Sequence, residues 1–192
     1  MSQVASLKES EKIQDLAADA LLRLDFSTFF HCVRVEKLAG EIGKRLKLSS
    51  GELSQLKWGA LLHDIGKQNI PPEILNKTPP LTAADWALIQ EHPVHGYQFA
   101  RMIGMDETVC RIILHHHIWA DGTGGYPSGE SMRPCLLTQI TTVADVVVCM
   151  TSDRPYRPPL STADCIEHLE AHLNTRYNPD AVEVVKEILF RK

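Results

Sequence analysis

Apolar residues recur at spacings of three and four along most of this 192-residue chain, whereas the alternating pattern of strands is almost absent. In residues 29–47, for example, Val35, Leu38, Ile42 and Leu46 follow this spacing and predict one apolar face of a helix. The same pattern predicts further helices over residues 8–24, 49–61, 82–89, 93–103, 106–117, 134–151, 161–173 and 179–190. The sequence therefore predicts an all-α protein with one compact core.

Charge and cysteine content narrow the classes of function. The formal net charge is −4, so a protein that binds nucleic-acid polymers through a basic surface is not expected. The five cysteines include no CxxC pair, which argues against both a disulfide framework and a cysteine-based zinc site. The amino-terminal residues lack a basic-then-apolar leader, and no apolar run approaches the roughly 18 residues that cross a bilayer. These features predict a cytoplasmic protein that is not bound to a membrane.

The placement of the nine histidines is the main chemical signal in the sequence. Several ligand-type side chains stand at the ends or in the middle of apolar helical stripes, where side chains face the interior of a protein. The residues with this placement are His31, His63, Asp64, His116, His117 and Asp145. Four separate predicted helices therefore direct polar groups toward a buried region.

Each of these residues also has a simpler interpretation. A single histidine at the end of an apolar stripe is more often a core residue with satisfied hydrogen bonds, and one buried aspartate can accept bonds from a cap or an arginine. Several such groups left unpaired would, however, cost on the order of several kcal/mol. One divalent metal site satisfies them together, and imidazole and carboxylate ligands suit iron, manganese or zinc. The combined pattern therefore favours a metal site.

The run HDIGKQNIPPEIL, which begins at His63, resembles the HD superfamily of metal-dependent phosphohydrolases and specifically its HD-GYP branch. The resemblance covers roughly residues 28–190 and includes His92 in EHPVHG, the GYP tripeptide at 125–127 and TSDRPYR at 151–157. A His-Asp doublet alone is a weak signal. The run HDIGK, the GYP tripeptide and TSDRPYR in this order are highly specific to the branch.

The resemblance implies an HD-fold helical bundle with a metal site at its centre. The site is expected to hold two divalent metal ions, iron or manganese, with Asp64 bridging them. The expected ligands are His31, His63, Asp64, His92, His116, His117 and Asp145. His115 replaces His117 in this set if the register slips by one residue. His95, one helical turn from His92, is expected to have a structural or supporting role.

The same resemblance gives roles to charged residues around the metals. Asp64 and Lys67 are the expected catalytic residues, and the Lys67 ammonium is expected to face the negative charge that develops during phosphoryl transfer. Lys67, Arg154 and Arg157 are expected to contact the substrate phosphate. The planar guanidinium of an arginine suits this contact, because it can donate two parallel hydrogen bonds to a phosphate. The alternatives are a solvated lysine and two surface salt bridges.

The chain departs from the family pattern at three places that bear on the site. Its loop at 121–127 reads DGTGGYP, with one glycine more than the usual DGxGYP. Ile118 stands where a glutamate usually follows the histidine doublet. Ser27 stands one helical turn before His31, where members with three metals place a glutamate ligand. This last departure favours two metals over three.

The implied activity is a phosphodiesterase that converts cyclic di-GMP to linear pGpG, with or without further cleavage to GMP. A related cyclic dinucleotide, or another nucleotide or phosphomonoester, is the alternative substrate. A different class of function is a non-catalytic or weakly active module, which binds a nucleotide or docks a diguanylate cyclase or another signalling protein through the GYP loop. Residues 1–26 are predicted to form an amphipathic helical segment that packs on the core or mediates a homodimer, and residues 27–192 the phosphohydrolase domain.

Overall fold

The computed structural model describes residues 2–77, 80–127, 132–153 and 158–190. These ranges contain ten α-helices, one 3₁₀ turn and no strand, which confirms the all-α prediction. The helices are α1 Ser2–Leu21, α2 Phe26–Arg45, α3 Ser50–Leu62, α4 Pro72–Leu75, α5 Ala83–Ile89, α6 His92–Met102, α7 Glu107–His115, α8 Leu136–Thr151, α9 Thr162–Glu170 and α10 Pro179–Phe190. The 3₁₀ turn, Ile65–Asn69, lies between α3 and α4.

Local sequence determines where several helices begin. Ser49 caps α3: its side chain accepts a hydrogen bond from the Glu52 amide, and the Glu52 side chain bonds back to the Ser49 amide. Thr82 and Asp85 form the same reciprocal arrangement at the start of α5. Each arrangement satisfies two amides that a helix leaves unpaired at its first turn.

Two clusters of buried apolar side chains hold the helices together. The first lies between α2, α3, α8, α9 and α10 and includes Val35, Ile42, Leu56, Ile140, Val143, Leu169 and Val185. The second joins α1, the end of α3, α6 and α7 and includes Ala17, Leu21, Leu62, Ala100, Val109 and Ile113. Helices α3 and α7 contribute to both clusters. The residues that directly follow these two helices therefore emerge where the clusters meet.

Helix α1 packs on the second cluster through a narrow face. Ala17, Ala20 and Leu21 are buried against it, whereas Leu16 stays 40% exposed although its spacing predicted burial. Ile65, which follows the His63-Asp64 doublet, belongs to the same cluster. The carboxyl end of α1 is thereby held close to the doublet.

One predicted helix ends earlier than expected. α7 ends at His115, so His116 and His117 lie in the turn that follows it rather than on the helix. α3 ends at Leu62, close to its predicted end at residue 61, and Lys67 lies on the 3₁₀ turn beyond it. None of the helices in the described ranges combines the length and hydrophobicity that a membrane crossing requires.

Candidate metal centre

A glycine sets how closely the His63-Asp64 doublet approaches α6. A Cβ atom placed on Gly66 would lie 2.0 Å from the His92 carbonyl oxygen and 2.5 Å from the Gly96 amide nitrogen. Only a residue without a side chain permits this contact between two backbones. The contact brings His92, the first residue of α6, to Asp64, with 3.2 Å between Nε2 of the histidine and Oδ1 of the carboxylate.

One group of ligand-type atoms comes from α2, the end of α3 and α8. His31, His63 and Asp64 each offer a ligand atom within 4.8 Å of the others, and all three side chains are buried. His31 Nε2 also lies 2.9 Å from Oδ1 of Asp145, which α8 supplies. Four of the seven expected ligands are therefore brought together on this side of the centre.

A second group comes from α6 and the turn after α7. His92, His116 and His117 offer ligand atoms within 4.8 Å of one another. The rings of His116 and His117 have centroids 4.0 Å apart, and His92 Nε2 lies 3.2 Å from His116 Nε2. This group contains the other three expected ligands. His115 belongs to neither group within the described residues.

Asp64 lies between the two groups and faces each with one oxygen. Its Oδ1 is 3.2 Å from His92 Nε2, on the side of the second group. Its Oδ2 is 3.3 Å from His63 Nε2 and 3.7 Å from His31 Nε2, on the side of the first. A carboxylate in this position can hold two cations at once.

Backbone carbonyls fix how three of the imidazole rings are oriented. Nδ1 of His63, His92 and His116 lies 2.8, 2.7 and 2.8 Å, respectively, from the carbonyl oxygen three residues earlier in the chain. Since a carbonyl oxygen only accepts, each Nδ1 carries the proton that is donated. In the neutral ring, the lone pair is then on Nε2 and points into the centre, as in metal-binding histidines.

This arrangement leaves electron pairs without partners. In the neutral rings, the lone pairs of His92 and His116 face each other across 3.2 Å, which is repulsive without a positive charge between them. His63 Nε2 and His31 Nδ1 are buried without a hydrogen-bond partner among the described residues. Such atoms are costly in a protein interior, and a divalent cation with imidazole and carboxylate ligands relieves that cost. The residues present therefore fit a metal ion.

The buried carboxylates of the centre stay ionised. Burial opposes the charge on Asp64, but Lys67 and His63 outweigh burial and hold the pKa of this carboxyl well below its usual value. Burial likewise opposes the charge on Asp145, and its hydrogen bond with His31 shifts the pKa of Asp145 far downward. Both carboxylates are therefore available as anionic ligands near neutral pH.

Two histidines of the second group are neutral near pH 7. Burial, together with the neighbouring histidines, lowers the pKa of His116 well below its usual value. Burial also lowers the pKa of His117 to about 3. At His63, burial opposes the charge, but Asp64 raises the pKa well above its usual value. His116 and His117 therefore need to lose no proton before they bind a metal ion.

Lys67 makes the shortest contact of the centre. Its Nζ donates a hydrogen bond to Asp64 Oδ2 over 2.6 Å, and its side chain is 25% exposed. The 3₁₀ turn explains the contact, because residues three apart eclipse each other in this conformation. Lys67 therefore lies between the buried carboxylate and the surface.

The GYP loop forms one wall of the centre. The ring of Tyr126 lies on the ring of His117, with centroids 4.4 Å apart and an angle of 30° between the planes. Gly125 has a positive φ of 96°, and a Cβ on it would lie 2.0 Å from the His117 carbonyl oxygen. The glycine thus lets the loop backbone press against His117 and places the tyrosine over its ring.

The extra glycine of the loop packs against a tryptophan. A Cβ on Gly124 would lie 2.7 Å from the Trp119 ring, and the Trp119 amide donates to the Gly124 carbonyl. The other face of this region is held by the turn after α9: the amides of Ala120 and Asp121 donate to the carbonyls of Arg176 and Thr175, respectively, over 3.2 and 3.0 Å. The longer loop is therefore held by main-chain bonds from both sides.

Two further polar residues lie next to the expected ligands without belonging to either group. His95 lies 3.4 Å from Glu91 and forms an ion pair at the surface when protonated. Thr142 is buried on α8, one turn before Asp145, and its hydroxyl donates to the His116 carbonyl over 2.7 Å. The sequence did not single out Thr142, because α8 carries several other polar residues, among them Thr138, Gln139 and Thr141. Arg154 and Arg157, the expected phosphate contacts, lie outside the described residues.

Known proteins resemble this chain along most of its length. A cyclic di-GMP phosphodiesterase of Pseudomonas aeruginosa is 36% identical over 168 residues, which are 83% of this chain and 39% of that protein. A 3′3′-cGAMP-specific phosphodiesterase of Vibrio cholerae is 32% identical over 160 residues, 83% of this chain and 35% of that protein. The chain thus spans well under half the length of these curated relatives.

Solved structures and a family model resemble the chain as well. An HDG"Y"P protein from Bdellovibrio bacteriovorus superimposes with a TM-score of 0.68 at 23% identity, over 84% of this chain and 52% of that one, and so shares its fold. The HD domain family model matches residues 28–150, more than half of the chain. The chain therefore belongs to the HD domain family, as the resemblance of the run that begins at His63 predicted.

Proposed function

We propose that this chain is a metal-dependent phosphodiesterase that linearises cyclic di-GMP. The observation that carries the proposal is the position of Asp64, with one oxygen toward each of two groups of buried ligand atoms and a lysine ammonium on the same carboxylate. Two cation positions side by side, next to a partly exposed cationic side chain, suit the hydrolysis of a phosphodiester.

The donor set supports two divalent metal ions. His31, His63, Asp64 and Asp145 would hold one, and His92, His116, His117 and Asp64 the other. When bound, such a pair of ions lowers the pKa of a water molecule and polarises the oxygens of a phosphate. Iron and manganese both accept this mixture of imidazole and carboxylate ligands.

The chain's own side chains have three tasks in the reaction. Asp64 keeps the two halves of the centre in register, because each of its oxygens faces one half. Lys67, at the mouth of the centre, presents its ammonium to the phosphate and stabilises the charge that builds up as a ribose oxygen leaves. Tyr126 covers the ring of His117, and this wall keeps bulk water off the second group.

The choice of cyclic di-GMP rests on the relatives. The Pseudomonas protein named above is a cyclic di-GMP phosphodiesterase, and so is a Thermotoga maritima protein that is 32% identical over 162 residues. The second candidate substrate is 3′3′-cGAMP, because the Vibrio cholerae relative is specific for it. Both candidates are cyclic dinucleotides that contain guanine.

The remaining parts of the proposal concern the periphery. Arg154 and Arg157 contact the substrate phosphates, residues 1–26 form an appendage to the phosphohydrolase domain at 27–192, and the GYP loop is the surface for a signalling partner such as a diguanylate cyclase. The Tyr126 and Trp119 contacts support a role of the loop in the site as well.

The test is to purify the protein without oxygen, measure bound metal, and incubate the protein with cyclic di-GMP and with 3′3′-cGAMP. We expect about two metal ions per chain and a linear product. The Asp64→Ala variant should keep its helical circular dichroism but lose both metal and product. A metal-loaded protein that leaves both nucleotides intact contradicts the proposal and favours the non-catalytic module.

A further inference from the structure

A cleft adjoins the metal centre on the side of Lys67. It has a volume of about 250 Å³ and lies between the connection from α1 to α2, the 3₁₀ turn and the short helix α4. Lys67 belongs to both places, since it lines the cleft and donates to Asp64 Oδ2 over 2.6 Å. A ligand whose phosphate sits at the centre can therefore extend into this cleft. Its volume, below the roughly 300 Å³ of the smaller drug-size sites, suits one nucleoside rather than a whole dinucleotide.

The cleft contains a cation without a local partner. Arg23 lines it, and within the described part of the chain its guanidinium has no hydrogen bond or ion pair. The one carboxylate that lines the cleft belongs to Asp25, which accepts a bond from the Thr28 amide at the start of α2. The guanidinium thus presents its planar set of donors to whatever enters the cleft.

Two amide side chains also line the cleft. Gln68 Nε2 donates to the Ile65 carbonyl over 3.1 Å, and Asn76 Nδ2 donates to the Pro72 carbonyl over 2.9 Å. One N–H of each amide is thus engaged with the backbone, and each amide oxygen is available to accept a hydrogen bond from a ligand. Leu75 and Pro72 add apolar surface to the lining.

This combination matches the edges of one nucleobase. Guanine carries two adjacent acceptors, O6 and N7, which an arginine fork binds in a bidentate manner, and it carries N–H donors on its other edge. Adenine carries an amino donor in place of O6, so it faces an arginine with the wrong group. Apolar side chains in the cleft supply a surface for the flat faces of the base.

We propose that the cleft between Arg23, Gln68 and Asn76 is a guanine-binding subsite that holds one nucleoside of the substrate while Lys67 holds its phosphate. The inference rests on the proposed function for the identity of the substrate, and on the cleft alone for the identity of the base. It makes Arg23 a specificity-determining residue and gives the end of α1 a role in recognition.

The experiment compares Arg23→Ala with the unmodified full chain in the metal-loaded state. For cyclic di-GMP, KM should rise about tenfold while kcat stays within about twofold, as expected for a lost bidentate contact to a base. Hydrolysis of bis(p-nitrophenyl) phosphate, which has no nucleobase, should not change. In calorimetry, GMP should bind to Arg23→Ala about tenfold more weakly than to the unmodified chain, whereas AMP binding should be equal in the two proteins.

A matched control and a separate readout keep the outcomes distinct. Arg111→Ala removes an exposed arginine that pairs with Glu107 on the surface and does not line the cleft, and it should behave like the unmodified chain. If Arg23→Ala leaves KM and GMP binding unchanged, or if it slows bis(p-nitrophenyl) phosphate equally, the subsite is wrong. If the unmodified chain cleaves no cyclic dinucleotide, the proposed function fails. The GMP and AMP titrations still decide the subsite in that case.

Discussion

Two clusters of histidines occupy this small protein, and they differ in how their nitrogens are satisfied. In the C-terminal pair, His168 and His172 stand four residues apart with ring centroids 5.0 Å from each other. His168 Nε2 lies 3.0 Å from the Tyr177 hydroxyl, and His172 Nδ1 donates to the His168 carbonyl over 2.9 Å. In the metal centre, by contrast, the nitrogens that face inward meet one another and carboxylates.

The comparison shows what distinguishes a ligand from an ordinary polar residue. His168 lies on α9 and His172 in the turn that follows it, four residues apart, a spacing that can chelate a metal. Within the described residues, however, neither histidine belongs to a group of three ligand-type side chains. The centre draws its groups from α2, α6, α8 and the turns after α3 and α7. Convergence from separate elements, together with nitrogens that have no other partner, is the sign of a metal site.

The largest expected effect separates the clusters by activity. His116→Ala should lower cyclic di-GMP hydrolysis by at least about 100-fold, because removing a ligand costs no less than removing a residue that supports one. His172→Ala should stay within about twofold of the unmodified chain. The measurement is the initial rate together with the metal content of each purified variant. Equal loss of metal in the two variants would contradict the conclusion that only the first of these histidines is a metal ligand.

The centre, unlike the C-terminal pair, also needs two backbones in contact. Gly66→Ala places a methyl group against the His92 carbonyl and should destabilise the fold by about 3 kcal/mol, as severe overpacking does. Gly51→Ala is the matched control, because a Cβ there meets nothing within 4 Å. It should leave the free energy of unfolding unchanged or raise it by up to about 1 kcal/mol, since alanine favours a helix. Urea titrations of the two variants measure both effects, and equal midpoints would contradict the close approach.

Removal of the metal should lower the free energy of unfolding, and this loss should depend on the ligands of the metal centre and not on the C-terminal pair. A metal present at 100 times its Kd stabilises the folded state by about 2.7 kcal/mol, which corresponds to a Tm shift of roughly 5–11 °C for a domain of this size. Chelation should remove this increment from the unmodified chain and from His172→Ala. His116→Ala, which lacks a ligand of one of the two proposed ions, should show a smaller increment. Thermal melts with and without chelator make the comparison, and an undiminished increment in His116→Ala would show that the metal binds elsewhere.

The smallest expected effect is the titration of the C-terminal pair. Burial, His172 and Arg176 together lower the pKa of His168 below the usual 6.5. The unfolded chain then takes up this proton first, so the contribution of His168 to stability is complete above about pH 6.5 and declines as the pH falls toward the lowered pKa. An NMR titration of His168 should give a midpoint below 6.5, and His172→Ala should raise it. An unchanged midpoint would mean that the neighbouring ring has no influence.

Much of the fold was predictable because it depends on local patterns. The three-and-four spacing of apolar residues predicted the helices from contacts within each segment. Six of the seven expected ligands were also recognisable from apolar stripes that face the core, whereas His92 was identified only from the family resemblance. The structure brings all seven of the expected metal ligands to one place.

What the sequence could not give depends on contacts between distant segments. The position of Lys67 over Asp64 arises from a 3₁₀ turn whose glycine touches α6, so no periodicity within the segment predicts it. The direction of each imidazole lone pair depends on a backbone carbonyl near a helix end. Thr142 acquires its role only because α8 passes the carbonyl of His116.

The two main-chain hydrogen bonds between the segment at the start of the GYP loop and the turn after α9 indicate where the C-terminal boundary of the domain lies. The family match ends at residue 150, whereas Thr175 and Arg176 hold the loop whose tyrosine lies on His117. A fragment cut at the end of the match keeps every expected ligand but loses that clamp. A shortened version of this domain should therefore retain α9 and the following turn, because they hold the loop that forms one wall of the candidate metal centre.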